Sequence, residues 1–496
     1  MSDTPRLRRG GLLLHPTSLP GKGAIGDLGS EARAFVAWLA KAGCSTWQIL
    51  PLVPSHIDCP YVGWSALAGN PLLVDLEALR GAGLLDDASE APNTDRVDFL
   101  AAKAHKLPRL GHAAERLLAA RHHPWAEDFE RFHDEETWAR DAAVFDALRE
   151  RHGFRAWRDW EPALRDREPR ALEGATRALA AGIDRRIAEL YFFERQWREL
   201  CAFAREHGVS LLGDLPIYVD GNSCDVWTHR DLFELDPEGR PASVSGVPPD
   251  YFSEKGQLWG NPLYRWERMA EDDFAWWKSR LERALVHADV VRIDHFRAFA
   301  AYWAVPSDAP DARSGAWREG PGLAFFEALR RAFGAELPLV AEDLGLIDEP
   351  VHELRRRAGL PGMRVLEFAF DGDPMNPHLP RNHPTDCVAY PGTHDNDTVV
   401  GWWAAASADT RRIVARELEL SPSEDIARAM VRHAFASPAE LAIAAVQDVL
   451  SLGSDARMND PATPDGNWSF RLADASSLSV RLAEELRELA ERTGRA

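Results

Sequence analysis

The chain has 496 residues, is 45% hydrophobic and 27% charged, and carries a formal net charge of −20. This is an ordinary globular composition with enough length for a large core, and its acidity opposes phosphate backbones, so nucleic acid is not an expected partner. No run approaches the roughly 18 apolar residues that span a membrane, Leu12–Leu14 is too short for a signal-peptide core, and five cysteines without a C-x-x-C pair fit a reducing compartment.

Short apolar runs flanked by turn residues predict buried strands. In chain order they are Gly11–His15, Thr46–Leu50, Val209–Asp214, Asp289–Asp294, Leu339–Asp343, Val365–Phe370, Cys387–Tyr390 and Val449–Gly453. Amphipathic helices are predicted between many of them. One is capped by Ser30, turns Phe35, Trp38 and Leu39 inward and ends at Gly43. Another covers Pro321–Phe333, and a closing helix covers Ser477–Arg495. Buried strands alternating with helices predict a parallel sheet. Eight of them fit an α/β fold of the (β/α)8 TIM-barrel type with large loop insertions. A doubly wound open sheet is the alternative, although no G-x-G-x-x-G sequence follows the first strand. Residues 51–208 far exceed the usual loop between barrel strands. Within them, 85–190 is rich in Ala, Arg, Glu and Leu and predicts a helical subdomain between strands two and three. Residues 215–288, rich in Gly, Pro and aromatics, predict an irregular lid or binding loop.

Acidic residues recur at the ends of the predicted strands. Asp214 ends the third, Asp294 the fourth, Glu342 and Asp343 the fifth; His394, Asp395 and Asp397 follow the seventh. Parallel barrel strands bring such ends to one mouth, where active sites are built. Any one of these carboxylates alone reads best as a loop or helix cap. Several together raise one another's pKa, which suits a general acid beside an ionised nucleophile, the pair that glycoside chemistry requires. No H-E-x-x-H sequence or Cys/His cluster points to a metal, no cofactor motif is present, and no G-x-S-x-G elbow points to a serine nucleophile. The 18 tryptophans against 7 tyrosines offer flat faces for sugar rings, though most are expected in the core.

The motifs narrow the reading. The segments GLLLHPTSLPGKGAIGDLG, WQILPL, CPYVGWSALAGNPLLV, GDLPIYV, GVPPDYFSEKGQLWGNPLYRW, VRIDHFR, AEDLG, GTHDNDT, QDVLSLGSDARMN and GNWSFR run in this order almost from end to end. In these segments the chain resembles the amylomaltases, the 4-α-glucanotransferases of glycoside hydrolase family 77. The resemblance is weakest over 85–190. It departs from the family's usual SPYQS at CPYVG and has Pro391 where Thr is more common before Gly392.

The resemblance implies a retaining transferase. Asp294 would be its nucleophile, Glu342 its general acid/base, and Asp395 the transition-state stabiliser. Arg292 would keep Asp294 ionised. Tyr61, Asp214, His295 and His394 are implied as substrate contacts, and Tyr251, Phe252 and Trp259 as aromatic platforms on the lid around 245–262. Asp371 and Asn467 complete the expected substrate-binding set. Residues 1–84 and 191–496 would form the catalytic barrel. Malto-oligosaccharides, maltose and α-1,4-glucans are the expected donors and acceptors, with no cofactor, metal or membrane partner, in a cytoplasmic monomer or homodimer. Release of glucose and formation of cyclic glucans are further expectations. An α-glucan hydrolase with the same carboxylates, or a silent glucan-binding protein, are the alternatives.

Overall fold

The computed structural model describes residues 8–87, 93–249, 253–421, 423–463 and 465–496. Eight parallel strands form its central sheet: β1 (Arg9–Leu13), β2 (Thr46–Gln48), β3 (Ser210–Leu215), β4 (Val290–Ile293), β5 (Leu339–Ala341), β6 (Gly362–Val365), β7 (Cys387–Tyr390) and β8 (Leu441–Ala445). Their order is β6-β7-β8-β1-β2-β3-β4-β5. The sheet nearly closes on itself, the geometry of a TIM barrel with insertions. Across the seam between β5 and β6, the Ala341 N–H donates to the Pro361 carbonyl at 2.8 Å. The Asp343 side chain adds a bond at 2.7 Å from the Met363 N–H. That carboxylate is buried and is balanced by Arg355 at 3.3 Å and Arg364 at 3.4 Å.

Most strands lie where their apolar runs place them, and two do not. The sixth ends at Val365 instead of beginning there, and Leu366–Phe368 turns as a 3-10 helix. Pro361–Gly362 reads locally as a turn, which hides the strand's start. The eighth is Leu441–Ala445, and Val449–Gly453 lies beyond it. Its sequence, LAIAA, has little β-branching and reads as part of a helix; it is a strand because both faces are packed inside the barrel.

The helix after β1 spans Ser30–Lys41 with Gly29, not Ser30, at its N-cap. Among the described residues, seven helices with at least four residues each fill the connection between β2 and β3, ending with the 27-residue Ala180–Glu206, which leads into β3. The connection from β3 to β4 is more ordered than its Gly, Pro and aromatic content predicts. It contains the helix Ala275–His287 and two strands, Ser243–Val247 and Gln257–Pro262. These join Ala301–Pro306 and Ala316–Glu319, from beyond β4, in a four-stranded antiparallel sheet. Two of its pairings are local hairpins, but the central one, Ser243–Val247 with Ala301–Pro306, joins segments remote in sequence, and no local pattern reveals it. Among the described residues, no helix is long and apolar enough to cross a membrane.

Candidate active site

Strand register decides which acids meet. Asp214 pairs with Arg292 across β3 and β4, and Ile293 pairs with Ala341 across β4 and β5. Asp294 and Glu342 therefore leave neighbouring strands at the same height, one residue past that last pair. Because strand side chains alternate, Arg292 and Asp294 point to the same side. The Arg292 guanidinium joins the acids: one nitrogen lies 2.8 and 2.7 Å from the two Asp214 oxygens, the other 2.7 Å from Asp294. Burial alone would lower the Arg292 pKa, but Asp214 and Asp294 outweigh it and hold the group charged.

Glu342 has a different environment. The His295 N–H donates to one carboxyl oxygen at 2.7 Å and the Leu344 N–H to the other at 2.9 Å. Burial pushes its pKa up to about 8, against the pull of Arg292 and with the help of the Asp294 charge. His295 makes its contact from a left-handed backbone, φ +51°. Its ring, held neutral by burial with a pKa of about 4, meets Trp259 edge-on at 4.8 Å. One carboxyl is thus kept neutral near pH 7 beside another that faces a fixed cation, the division of labour that paired acid chemistry needs.

The third carboxylate arrives from the loop after β7. Asp395 accepts from Asn459 at 2.6 Å, lies 3.4 Å from His394 Nε2, and its carbonyl accepts from Arg457 at 2.9 Å. The Tyr61 hydroxyl donates to Asp214 and lies 2.8 Å from His394 Nε2. Its only proton is committed to Asp214, so His394 carries its proton on Nε2. The Tyr61 and His394 rings stack at 5.3 Å. Tyr61, Asp214, Arg292, Asp294, His394 and Asp395 are therefore linked through direct contacts, and His295, next to Asp294 in the chain, binds Glu342 beside them.

Other expected site residues sit differently. Trp259 is 38% exposed on the edge strand of the small sheet, against His295. Asp371 is exposed and bonds within its own loop, to the Asp373 N–H and the Asn376 side chain. Asn467 staples its own loop through Asp460 and Thr463. Tyr251 and Phe252 lie outside the described residues. Among the described residues no group of three or more His, Cys, Asp or Glu could hold a metal ion.

Sequence reading overlooked Asn459 and Arg457, which reach Asp395 from the loop after β8, and a buried anchor beneath the β7 loop. There the Glu367 carboxyl accepts from Asn396 at 2.9 Å. Asn396 in turn accepts from the Thr393 N–H at 2.9 Å and its hydroxyl at 2.8 Å. Burial foremost, then Asp448, raises the Glu367 pKa well above the usual range and so favours the neutral acid. A Glu367→Gln variant is expected to keep kcat within about twofold, because a neutral amide oxygen accepts the same bond. Glu367→Ala is expected to lose about tenfold, because the loop bearing His394 and Asp395 shifts. Steady-state kinetics of the two variants checks this.

A family model described as 4-alpha-glucanotransferase, of glycoside hydrolase family 77, matches residues 14–477. The 4-alpha-glucanotransferase of Thermus thermophilus is 45% identical over 494 residues, 98% of each chain. The chain belongs to the 4-alpha-glucanotransferase family. The chloroplastic/amyloplastic 4-alpha-glucanotransferase of Solanum tuberosum is also 45% identical, over 98% of this chain and 86% of that one. The amylomaltase of Streptococcus agalactiae, solved in complex with acarbose, superposes with a TM-score of 0.94 at 35% identity, covering 99% of this chain and 100% of that one. The family membership fits the mouth: its carboxylates stand just past the ends of β4 and β5 and on the loop after β7 of one barrel.

Proposed function

We propose that this 4-alpha-glucanotransferase moves α-1,4-glucan segments between malto-oligosaccharides by double displacement, with Asp294 as nucleophile and Glu342 as acid/base. The observation that carries this is the Asp294–Glu342 pair at equal height on adjacent strands. Adjacent strands lie about 4.8 Å apart, and a retaining pair needs its carboxyls about 5–5.5 Å apart. An inverting pair, which must fit a water between them, needs more room.

Glu342 gives its proton to the departing glycosidic oxygen as the Asp294 carboxylate attacks the anomeric carbon. The reducing-end fragment, or glucose, leaves and a covalent β-linked glucosyl-enzyme remains. Glu342, now ionised, takes the proton from the 4-hydroxyl of an acceptor sugar. That oxygen displaces Asp294, and two inversions restore the α configuration. Asp395, fixed by Asn459 and Arg457, holds hydroxyls of the distorted donor ring, with Tyr61, Asp214, His295 and His394 around it. When the acceptor is the far end of the same chain, the product is cyclic.

Transfer requires that a sugar displace water from the acceptor side. The 245–262 segment supports this. It seats Trp259 beside His295 as an acceptor platform, and its connecting residues include Tyr251 and Phe252. The helices within 85–190 make up an insertion on the barrel of 1–84 and 191–496, and the helix Ala180–Glu206 runs across that boundary into β3. Five free cysteines support a cytoplasmic location. Incubation with maltotriose tests the reading: glucose together with oligosaccharides longer than maltotriose is expected. Glucose and maltose alone would mark a hydrolase, and no products at all a silent binder.

A further inference from the structure

Trp468 follows the loop after β8 with a left-handed backbone, φ +59°. Bulky residues seldom adopt this conformation, because the side chain crowds the backbone, whereas glycine adopts it freely. Local contacts hold it there. The Trp468 N–H donates to the Met458 carbonyl at 2.7 Å. The neighbouring Asn467 accepts from the Asp460 N–H at 2.7 Å and donates to the Thr463 carbonyl at 2.9 Å. Backbone preference alone would favour glycine at 468, so the indole has to contribute something else.

The placement of the ring shows what that is. The Trp468 centroid lies 5.7 Å from Tyr61 and 6.0 Å from His394, tilted 38° and 36° to them. Those two rings are already stacked, and they lead by hydrogen bond to Asp214 and by a 3.4 Å contact to Asp395. The same loop also supplies Asn459 and Arg457 to Asp395. It therefore grips the β7 loop by polar contacts and braces the Tyr61–His394 pair by an apolar one. Offset aromatic contacts of this kind fix relative ring orientation.

We propose that Trp468 is a positioning residue. Its indole braces the Tyr61–His394 stack and, through His394, sets Asp395 against the donor sugar. This inference rests on the site roles proposed above. It predicts a split between turnover and stability, because a ring that merely fills space would cost stability when removed and leave turnover of the folded enzyme unchanged.

The test compares Trp468→Phe, Trp468→Ala and Trp468→Gly by thermal unfolding and by glucose release from maltotriose, with kcat and KM determined separately. Trp468→Ala and Trp468→Gly are expected to lose about 30-fold in kcat, the order that sub-ångström misplacement produces, with KM changed by less than about threefold. Trp468→Gly is expected to melt no lower than Trp468→Ala, since glycine accepts the left-handed backbone. Trp468→Phe is expected to recover kcat to within about fivefold, as it restores a ring against Tyr61 and His394. The proposal is overturned if folded Trp468→Gly turns over like the wild type, or if Trp468→Phe is as impaired as Trp468→Gly. Glucose release counts transfer and hydrolysis alike. A wild type that makes no longer oligosaccharides would therefore refute the transfer reading while leaving this comparison intact.

Discussion

Asp294→Asn is expected to lower kcat on maltotriose by about 10⁴-fold, about 5 kcal/mol of transition-state stabilisation. The amide cannot form the glucosyl ester, and no other described carboxylate stands one residue past the Ile293–Ala341 pair on that side of Glu342. The fold should survive. Arg292 keeps its two bonds to Asp214, and an Asn oxygen can still accept the third. Substrate binding should survive as well, because Asp395, His394 and Tyr61 are untouched. Kinetics alongside binding of maltotriose by calorimetry reads both. Wild-type turnover in this variant would remove Asp294 from the nucleophile role.

Glu342→Gln is expected to cost about 10³-fold with maltotriose, within the range of a lost general acid. It should cost far less with α-glucosyl fluoride, whose leaving group needs no proton, so equal losses on both substrates would contradict the acid role. The pH profile follows from the environment of Glu342. Departure of the leaving group requires the protonated form, and the pKa is raised to about 8 by burial first and by Asp294 in addition. Activity therefore holds through neutral pH and falls as pH rises through about 8. Above it, kcat/KM should drop about tenfold per pH unit. The variant with Gln should lack that alkaline limb.

The barrel was legible in the sequence wherever a strand is a short β-branched or aliphatic run between turns, as at VVRI and LVA. It was hidden where local preference and tertiary environment disagree: LAIAA looks helical and is a central strand, and GMRV begins on a glycine that reads as a turn. The centre of the small antiparallel sheet was illegible because Ser243–Val247 pairs with Ala301–Pro306 across the whole of β4. The strand-end acids were visible because a barrel converts chain position into place. The partners of Asp395 were not: Asn459 and Arg457 stand more than sixty residues away, on a loop whose preceding strand was itself misplaced. Glu367 escaped notice for a related reason. Its raised pKa and its hold on Asn396 depend on burial beneath a loop that no local pattern describes.

The most direct measurement is to trap the intermediate. A fluorinated α-glucosyl fluoride, whose fluorine slows release of the sugar more than its capture, should leave one glucosyl unit covalently bound to the enzyme. Peptide mass spectrometry is expected to place that unit on Asp294, and adding maltose should discharge it to a longer saccharide. Label on a different carboxylate, or turnover with no covalent species, would contradict the account.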